Sequence, residues 1–341
     1  MEELVYYDPL GHEAHFESGH PERPERVETI KDTLIAGGLW ERFPKRDPYH
    51  IPDNVLYGIH DAGYLNNLEE ICALGQRYDM DTYTTPASWK LALNAAGGAI
   101  AVADEVWSRK AKRGFALTRP PGHHATRNRA MGFCLLNNIA LAAEFILREK
   151  NASRLAAIDI DLHHGNGTQD IFHQRGDVFY ISTHQYPHYP GTGGMNETGH
   201  GEGKGRTANI PLPPMSGDTA FITTLDEIII PLLDDYQPEM VLVSYGFDAH
   251  FRDPLGYLLL TTGGYHHLIS RFSTWADEYC NGRIALFLEG GYDLEAARSC
   301  SLSVVEALLG ITEQDSYEHS PTPEGENWRL TVEQVKNVWG I

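Results

Sequence analysis

Short apolar runs alternate with longer amphipathic stretches along most of the chain. The runs are typical of strands that are buried on both faces of a sheet, and they cover residues 115–118, 155–161, 178–183, 207–212, 240–245 and 283–288. The stretches between them have helical spacing and cover residues 27–39, 60–74, 88–110, 133–150, 218–235, 262–278 and 294–309. This alternation predicts an α/β fold with a mostly parallel sheet that is covered by helices on both sides.

Other regions are less regular. We predict a loop over residues 40–60 that contains a short strand at 55–59, and a long Gly/Pro/His-rich loop over 184–206. Asp104 and Glu105 are expected on the outer side of the helix at 88–110. Residues 311–341 are rich in Glu, Pro and Ser, and we expect them to form a C-terminal surface extension with a late helix at 332–338.

The chain has 341 residues, of which 42% are apolar, and this is enough for a sizeable core. Such a length could hold one large domain or two ordinary ones. Because no repeat, low-complexity linker or charge run divides the chain, we predict a single domain over residues 1–341 with its core in 5–310.

The charge and the cysteines limit the class of protein. A formal net charge of −20 argues against a nucleic-acid partner, because phosphate binding needs a basic surface. It would favour cationic substrates, although solubility alone explains it equally well. We predict no membrane partner, because no apolar run reaches roughly 18 residues and the N-terminus lacks the pattern of a signal peptide. Scattered cysteines indicate reduced thiols and a cytoplasmic location; they are Cys72, Cys134, Cys280 and Cys300.

The strand at 155–161 leads into the most informative stretch of the sequence. Asp159, Asp161 and His163 are spaced two apart, so an extended backbone points all three side chains to one face. Two neighbouring buried carboxylates are costly unless a cation or hydrogen-bond donors compensate. The mixture of carboxylate and imidazole favours a divalent metal, and Zn²⁺ in particular. A solvated polar loop after a core strand is the alternative.

Polar residues also follow three other predicted strands. Each segment alone could be a turn or a helix cap, but in an open α/β sheet the carboxyl ends of the strands form the ligand-binding edge. Together they suggest a zinc hydrolase in which Asp161, His163 and Asp248 hold the metal. His123 and His124 would be general base and acid, and Tyr292, after Gly290 and Gly291, would donate to the oxyanion.

Four segments in this order, RPPGHHA, IDIDLHHGNGT, SYGFDAHFRDPLG and EGGYD, resemble the arginase/deacetylase superfamily. Within it they are most similar to the histone deacetylases and the bacterial acetylpolyamine amidohydrolases. HPERPER at 20–26 and DAGYL at 61–65 extend the likeness toward class II, and the resemblance runs from about residue 5 to 310. It implies a single α/β domain with a parallel sheet of about eight strands, and deacetylation of an N-acetylated amine.

The resemblance also implies a role for individual residues. Asp161, His163 and Asp248 would bind Zn²⁺, and His124 would be the more probable base of the tandem pair. Asp159 would be the partner of His123, and Asn166 the partner of His124, where class I enzymes have Asp. Tyr292 would be the oxyanion donor, which is His in class IIa. The substrate tunnel would be lined by Gly132, Phe133 and Tyr189, the last of which is usually Phe. A structural K⁺ would lie near Asp159, Asp161, His163 and Ser182.

The resemblance implies that the substrate is an acetylated lysine or a polyamine-type amine. Polyamine-selective relatives carry a glutamate in the loop after the third metal ligand, where this chain has Leu255, and this favours acetyl-lysine. Asp81 would grip the substrate backbone at the rim, or would be an exposed loop acid. The resemblance also allows a homo-oligomer. Two alternatives are a di-manganese ureohydrolase, which Ala249-His250 after Asp248 disfavours, and an acetoin-utilisation-type protein that binds an acyl ligand without turnover.

Overall fold

The structure is a computed structural model that describes residues 1–312 and 318–341. Within these residues, eight parallel strands form one sheet in the order β2-β1-β3-β8-β7-β4-β5-β6. The strands are β1 (Glu2–Tyr7), β2 (Lys45–Arg46), β3 (Ala111–Ala116), β4 (Leu155–Asp159), β5 (Val178–Gln185), β6 (Thr207–Leu212), β7 (Val241–Tyr245) and β8 (Ile284–Leu288). The predicted α/β class and the parallel sheet of about eight strands are therefore confirmed.

Helices flank the sheet. They are α1 (Glu25–Ala36), α2 (Asp53–Ile59), α3 (Ala62–Leu74), α4 (Ser88–Trp107), α5 (Asn138–Lys150), α6 (Asn166–Phe172), α7 (Asp218–Thr224), α8 (Ile230–Tyr236), α9 (Thr262–Tyr279), α10 (Leu294–Leu308) and α11 (Trp328–Trp339). A π-helical turn at Leu225–Ile229 joins α7 to α8. No helix in the described parts of the chain combines the length and apolarity that a membrane crossing requires.

The central strands are buried on both faces, as their continuous apolar runs predict. In β4, Ala156 and Ile158 enter one core cluster while Leu155 and Ala157 enter the other. The second cluster lies under the Ala-rich helix α4, where small side chains let the helix approach the sheet closely. Successive residues of one strand therefore anchor two helical layers, and the chain that follows the strand is held between them.

The strand predicted at 55–59 is wrong, because these residues form α2. Pro52 lies in an extended conformation directly before the helix, and Asp53 stands in its first turn. Val55 and Ile59 are four residues apart and are both buried in the second core cluster. Their spacing fits a helix, and the β-branched side chains alone misled the prediction.

The prediction that Asp104 and Glu105 face solvent is also wrong. Their exposed fractions are 5% and 3%. Asp104 pairs with Lys150 at 2.8 Å, and Glu105 accepts a hydrogen bond from Nε of Arg46 on β2 at 2.8 Å. The short strand β2 was not predicted, so a cation on this face of α4 was not expected.

One helix begins later and another ends earlier than predicted, because residues at these ends have positive φ. Gly132 (φ 54°) and Phe133 (φ 69°) cannot belong to a helix, and α5 begins only at Asn138, after the side chain of Asn137 accepts from the backbone N–H of Ala140. Arg109 (φ 57°) likewise follows the end of α4 at Trp107. The stretch 117–137 is therefore free to form a loop above the sheet.

The C-terminal segment is not wholly at the surface. Its helix α11 is longer than predicted, and it buries Trp328, Val332 and Val335 in the first core cluster beside β6. The carboxylate of Glu324 accepts backbone hydrogen bonds at the start of α7, from Gly217 at 2.9 Å and Ala220 at 2.8 Å. Part of the predicted surface extension, residues 313–317, lies outside the described residues.

Candidate metal centre and active site

The four polar segments follow four strands that are neighbours in the middle of the sheet, in the order β3-β8-β7-β4. Because all four strands are parallel, their carboxyl ends meet at the same edge. The segments that begin at Arg119, Glu289, Gly246 and Asp159 therefore lie side by side, although Arg119 and Glu289 are 170 residues apart in the chain.

The structure brings Asp161, His163 and Asp248 together. One potential ligand atom from each lies within 4.8 Å of the others, and all three residues are buried. Nδ1 of His163 lies 3.2 Å from Oδ1 of Asp161 and 3.2 Å from Oδ2 of Asp248. Apart from this approach of His163, which lacks hydrogen-bond geometry, Oδ2 of Asp248 has no hydrogen-bond partner among the described residues. A buried carboxylate oxygen in this state is expected where a cation binds.

The other carboxylate oxygens are held by backbone N–H groups. Oδ2 of Asp161 accepts from Gly290 at 2.8 Å, and Oδ1 of Asp248 accepts from Leu162 at 2.9 Å. A Cβ atom at Gly290 would overlap the carboxylates of both Asp248 and Asp161. Glycine is therefore required here, and backbone N–H groups orient both carboxylates.

The charges of Asp161, His163 and Asp248 favour the binding of a cation. Burial raises the pKa of Asp248, and the neighbouring charge of Asp161 raises it further. Burial lowers the pKa of His163, but its contacts with Asp161 and Asp248 outweigh this and raise the pKa to about 9. Two oxygen donors and one nitrogen donor suit Zn²⁺, which catalytic sites bind through three side chains with a further position open. The residues present therefore fit the metal.

His123 and His124 lie beside this group with their rings 4.1 Å apart. Nδ1 of His123 lies 3.1 Å from Oδ2 of Asp159, as the resemblance implies. Burial lowers the pKa of His123, but the carboxylates of Asp161, Asp159 and Glu289 outweigh burial and raise it to about 10. Without a bound divalent cation, His123 is thus an imidazolium.

His124 has the opposite environment. Its Nδ1 lies 2.8 Å from Oδ1 of Asn166, whose Nδ2 donates to Sδ of Met131 at 3.3 Å. Since the amide presents its oxygen to the ring, Nδ1 carries the proton and Nε2 keeps a lone pair. Burial lowers the pKa of His124 well below its usual value, and the nearby His123 and His163 lower it further.

Two predicted tunnel aromatics pack on residues of the site. Tyr189 packs edge-to-face on His124 at 5.2 Å between ring centres, and Phe133 packs edge-to-face on Tyr292 at 5.8 Å. A Cβ atom at Gly132 would overlap His124 and lie 3.1 Å from the Tyr189 ring. Of the predicted tunnel residues, Gly132 and Tyr189 thus lie against His124, and Phe133 lies against Tyr292. The fourth, Leu255, accepts a hydrogen bond through its carbonyl from Nε2 of His188 at 2.9 Å.

Tyr292 is 8% exposed and follows Gly290 and Gly291. Its backbone N–H donates to Oδ2 of Asp253 at 2.6 Å. Burial raises the pKa of its phenol well above the usual value, and Asp248 and Asp161 raise it further. The phenol is therefore protonated at neutral pH and can donate a hydrogen bond. It also lines a surface cavity of about 370 Å³ together with Phe16, Gly19, His20, Pro21, Arg23, Glu25 and Pro254.

The residues predicted near K⁺ are also close together. Ser182 on β5 is in register with Asp159 on the neighbouring strand β4, and Asp161 and His163 follow the end of β4. The Ser182 hydroxyl lies 2.9 Å from Nδ1 of His184. Asp81 is half-buried, and its carbonyl accepts from Nε2 of His20 at 3.0 Å. The K⁺ site and the grip on substrate by Asp81 stay predictions.

Sequence reasoning missed the buried charges behind the site. Both oxygens of Glu289 accept hydrogen bonds, one from the N–H groups of Gly122 (2.7 Å) and His123 (3.0 Å) and one from Ser244. Burial raises the pKa of Glu289 to about 7. Together with His123 and Cys134 it forms a second group with metal-binding atoms, but the carboxylate is already fully bonded. Its position at a strand end was the only signal in the sequence.

Comparisons with known proteins agree with the geometry. The family model described as "Histone deacetylase domain" matches residues 20–308. A probable deacetylase of Archaeoglobus fulgidus is 40% identical over 86% of this chain and 82% of its own length. A histone deacetylase-like amidohydrolase of Pseudomonas aeruginosa is 36% identical over 86% of this chain and 78% of its own. A crystal structure of the HDA15 HD domain matches with a TM-score of 0.90 and 33% identity, covering 99% of this chain and 94% of that one.

Proposed function

The chain belongs to the histone deacetylase family and is a hydrolase of the deacetylase type, and we propose that it uses zinc to hydrolyse the amide of an N-acetylated amine. The products would be acetate and the free amine. The observation that carries the proposal is the convergence of Asp161, His163 and Asp248, with one buried oxygen of Asp248 left without a hydrogen bond.

Asp161, His163 and Asp248 would hold the metal. A bound Zn²⁺ would act as a Lewis acid toward a water molecule and the substrate carbonyl. The protein's share is to fix the three donors, through the backbone N–H groups of Gly290 and Leu162, and to keep the site dry. The burial of all three side chains serves this purpose.

His124 is the proposed general base. The Asn166 amide keeps the proton on Nδ1 and leaves Nε2 free to accept a proton from the attacking water. Because Asn166 is neutral, it orients the ring without adding a charge that would favour the imidazolium. The low pKa of His124 is consistent with a base that is neutral before the reaction.

His123 is the proposed acid. Its pairing with Asp159 favours the charged ring, which can stabilise negative charge on the substrate and give a proton to the leaving amine. Oδ2 of Asp159, the oxygen that His123 contacts, also accepts a hydrogen bond from Tyr180 at 3.2 Å, and Oδ1 accepts one from the backbone N–H of Asp161, so both oxygens are held in place. The two histidines thus differ in protonation because their partners differ in charge.

Tyr292 would donate its phenolic proton in a hydrogen bond to the carbonyl oxygen as negative charge develops there. The raised pKa supports this, since a phenolate could not donate. Phe133 on one side and Tyr189 on the other would form a slot for a linear acyl-amine chain. Gly132 fits the same slot because any side chain there would collide with His124.

Acetyl-lysine is the proposed substrate class. The carboxylate of Asp253 is 6% exposed and accepts backbone hydrogen bonds from Leu255 and Tyr292. It is therefore not available to bind the distal ammonium of a polyamine, and Leu255 offers no charge of its own. The net charge of −20 still suits a basic peptide. A cytoplasmic location and a homo-oligomer stay predictions.

The test combines metal analysis with turnover. We expect the purified protein to hold zinc and to deacetylate an acetyl-lysine peptide faster than acetylated putrescine. Asp248→Asn should lose most of the zinc and at least about 100-fold of the activity, because removal of one ligand charge weakens the metal site. Asp226→Asn, which changes an exposed carboxylate paired with Arg271, is the matched control and should change neither. Turnover without metal, or zinc bound as tightly to Asp248→Asn, would contradict the proposal.

A further inference from the structure

Arg26, in the first turn of α1, holds the segment that ends in Tyr292. Its Nε donates to the carbonyl of Gly291 and its Nη2 donates to the carbonyl of Glu289. Its guanidinium carbon lies 5.1 Å from the centre of the Tyr292 ring. One side chain thus fixes the backbone on both sides of Gly290 and also packs on the phenol ring, which gives it direct control of the position of Tyr292.

The carboxylate of Glu22 holds Arg26 in turn. Its Oε1 lies 3.1 Å from Nη1 of Arg26 and 2.7 Å from Nε of Arg119. Its Oε2 accepts hydrogen bonds from Nη2 of Arg119 at 3.1 Å and from the hydroxyl of Tyr83 at 3.2 Å. Glu22, Arg26 and Arg119 are all 0% exposed. The carboxylate is therefore bonded on both edges.

The far side of this group is anchored as well. Arg119 donates to the carbonyl of His12 and, at 2.6 Å, to the carbonyl of His15. Burial raises the pKa of Glu22, but Arg119, His15 and Arg26 outweigh it and lower the pKa to about 2. Glu22 is thus an anion at neutral pH, and neither it nor Arg119 can move without breaking several bonds.

We infer that Glu22 is a positioning residue for Tyr292 and acts through Arg26. This inference rests on the proposed function of Tyr292. Without the Glu22 anion, the Arg26 guanidinium would be a buried cation beside the cation of Arg119. Repulsion between the two would push Arg26 out of its position against the carbonyls of Gly291 and Glu289. The phenol would then lose its orientation, and a displacement of about 1 Å at a reacting group can cost about 100-fold in rate.

The kinetic test compares Glu22→Gln with the wild-type full-length protein on an acetyl-lysine peptide. We expect kcat to fall about 10- to 100-fold while KM changes less than about 3-fold, since the phenol acts in the chemical step. Glu144→Gln is the matched control, because Glu144 is also 0% exposed and is paired with Arg148 and Arg175. It should leave kcat unchanged.

A double-mutant cycle separates positioning from general loss of structure. In the Tyr292→Phe background, Glu22→Gln should cost less than about 3-fold in kcat, because the group it positions is already absent. If the two losses multiply, Glu22 does not act through Tyr292 and the inference is overturned. Arg26→Lys, which keeps the cation but lacks the fork that binds two carbonyls, should behave like Glu22→Gln in the same cycle.

Amide hydrogen exchange supplies a readout that does not depend on activity. Glu22→Gln or Arg26→Lys should speed exchange in residues 289–293, whereas Glu144→Gln should not. Unchanged protection of this segment in both variants would overturn the inference, even for a folded and less active protein. A wild-type protein that does not turn over the peptide would count against the proposed function, and the exchange experiment would still decide whether Glu22 holds the segment.

Discussion

Tyr292 carries the most direct prediction at the scale of single residues. Tyr292→Phe removes the donor and keeps the ring that packs on Phe133. We expect kcat to fall about 100- to 1,000-fold, the loss typical of one oxyanion donor, with little change in KM. Steady-state kinetics on an acetyl-lysine peptide measure this. Zinc content should stay that of the wild type, because the phenol is not a ligand.

Tyr257→Phe is the matched control for this experiment. Tyr257 lies in the loop that follows Asp248, and it is 67% exposed. Its hydroxyl should be dispensable, and kcat should stay within about 2-fold of the wild type. Equal losses in the two variants would show that the phenol of Tyr292 has no special part in the reaction.

His124 has an uncharged partner, Asn166, and a change of that partner's charge predicts a pH effect. In Asn166→Asp a carboxylate would replace the amide 2.8 Å from Nδ1, and it would raise the low pKa of His124. The base works only when neutral, so a higher pKa means that it is protonated over more of the acid range. We therefore expect the acid limb of the kcat/KM profile to move to higher pH.

The control for the pH profile is Asn151→Asp, which adds the same charge at the exposed end of α5. Its profile should overlay that of the wild type. An unmoved acid limb in Asn166→Asp would mean that another group is the base, and His123 would be the next candidate. Measurements at several pH values with one buffer series distinguish these outcomes.

At the scale of residues, the sequence was most informative where candidate functional residues directly follow a predicted strand. Asp159, Asp161 and His163 were identifiable from spacing alone, because strand geometry dictates which face they share. Glu22 and Arg119 were not identifiable, since they are 97 residues apart and their pairing depends on tertiary structure. Buried ion pairs of this kind have no local signature, and the HPERPER segment was informative only as a family resemblance.

At the scale of elements, Gly→Ala substitutions in helices distinguish the effect of tight packing from the effect of helix propensity. Gly98 lies in α4, and a Cβ atom there would overlap the ring of Tyr7 on β1. Gly98→Ala should therefore lower the free energy of unfolding by about 1–3 kcal/mol, although alanine is the better helix former. Thermal or denaturant unfolding measures the change.

Gly63 in α3 is the matched control, because a Cβ atom there would meet nothing within 4 Å. Gly63→Ala should raise the free energy of unfolding by about 0.4–1 kcal/mol through the lower entropy of the unfolded chain. Opposite signs in two helical glycines would show that close contact of α4 with the sheet decides the first case. A stabilised Gly98→Ala would show that Tyr7 can move aside at little cost.

The elements that sequence analysis missed share a physical cause. β1 pairs with β3 through Glu2 and Ala111, and β2 has only two residues, so their existence depends on partners distant in the chain. α2 was mistaken for a strand because its two buried apolar residues, Val55 and Ile59, are β-branched. The central strands were predicted within a few residues, since burial on both faces requires an apolar run that is visible locally.

At the scale of the whole molecule, the order of the strands creates the site. The sequence could show that four segments end in polar residues, but it could not show that β3, β8, β7 and β4 are adjacent. That order is a property of the complete fold, since neighbouring strands such as β3 and β8 are far apart in the chain. The site therefore depends on contacts between residues that are far apart in the chain, and no single helix or strand could hold its loops in place.

The net charge of −20 predicts how a basic peptide reaches this site. Burial raises the pKa of Tyr189 at the slot, and the charges of Asp81 and Asp79 raise it further, which indicates acid groups close to the entrance. Asp79 is only loosely paired, with Arg129 at 3.9 Å. Attraction of a cationic substrate should therefore raise the rate of encounter rather than the rate of chemistry.

We accordingly expect kcat/KM for an acetyl-lysine peptide flanked by Lys to exceed that for one flanked by Ser at low ionic strength. The excess should shrink as salt rises from about 0.01 M to about 0.15 M, because the Debye length falls from about 30 Å to about 8 Å. kcat should not change. If both peptides show the same salt dependence, the acidic surface serves solubility alone. If the single substitution Asp79→Asn abolishes the excess in kcat/KM for the Lys-flanked peptide, the attraction is local to the entrance. The remaining charges of the molecule then contribute little.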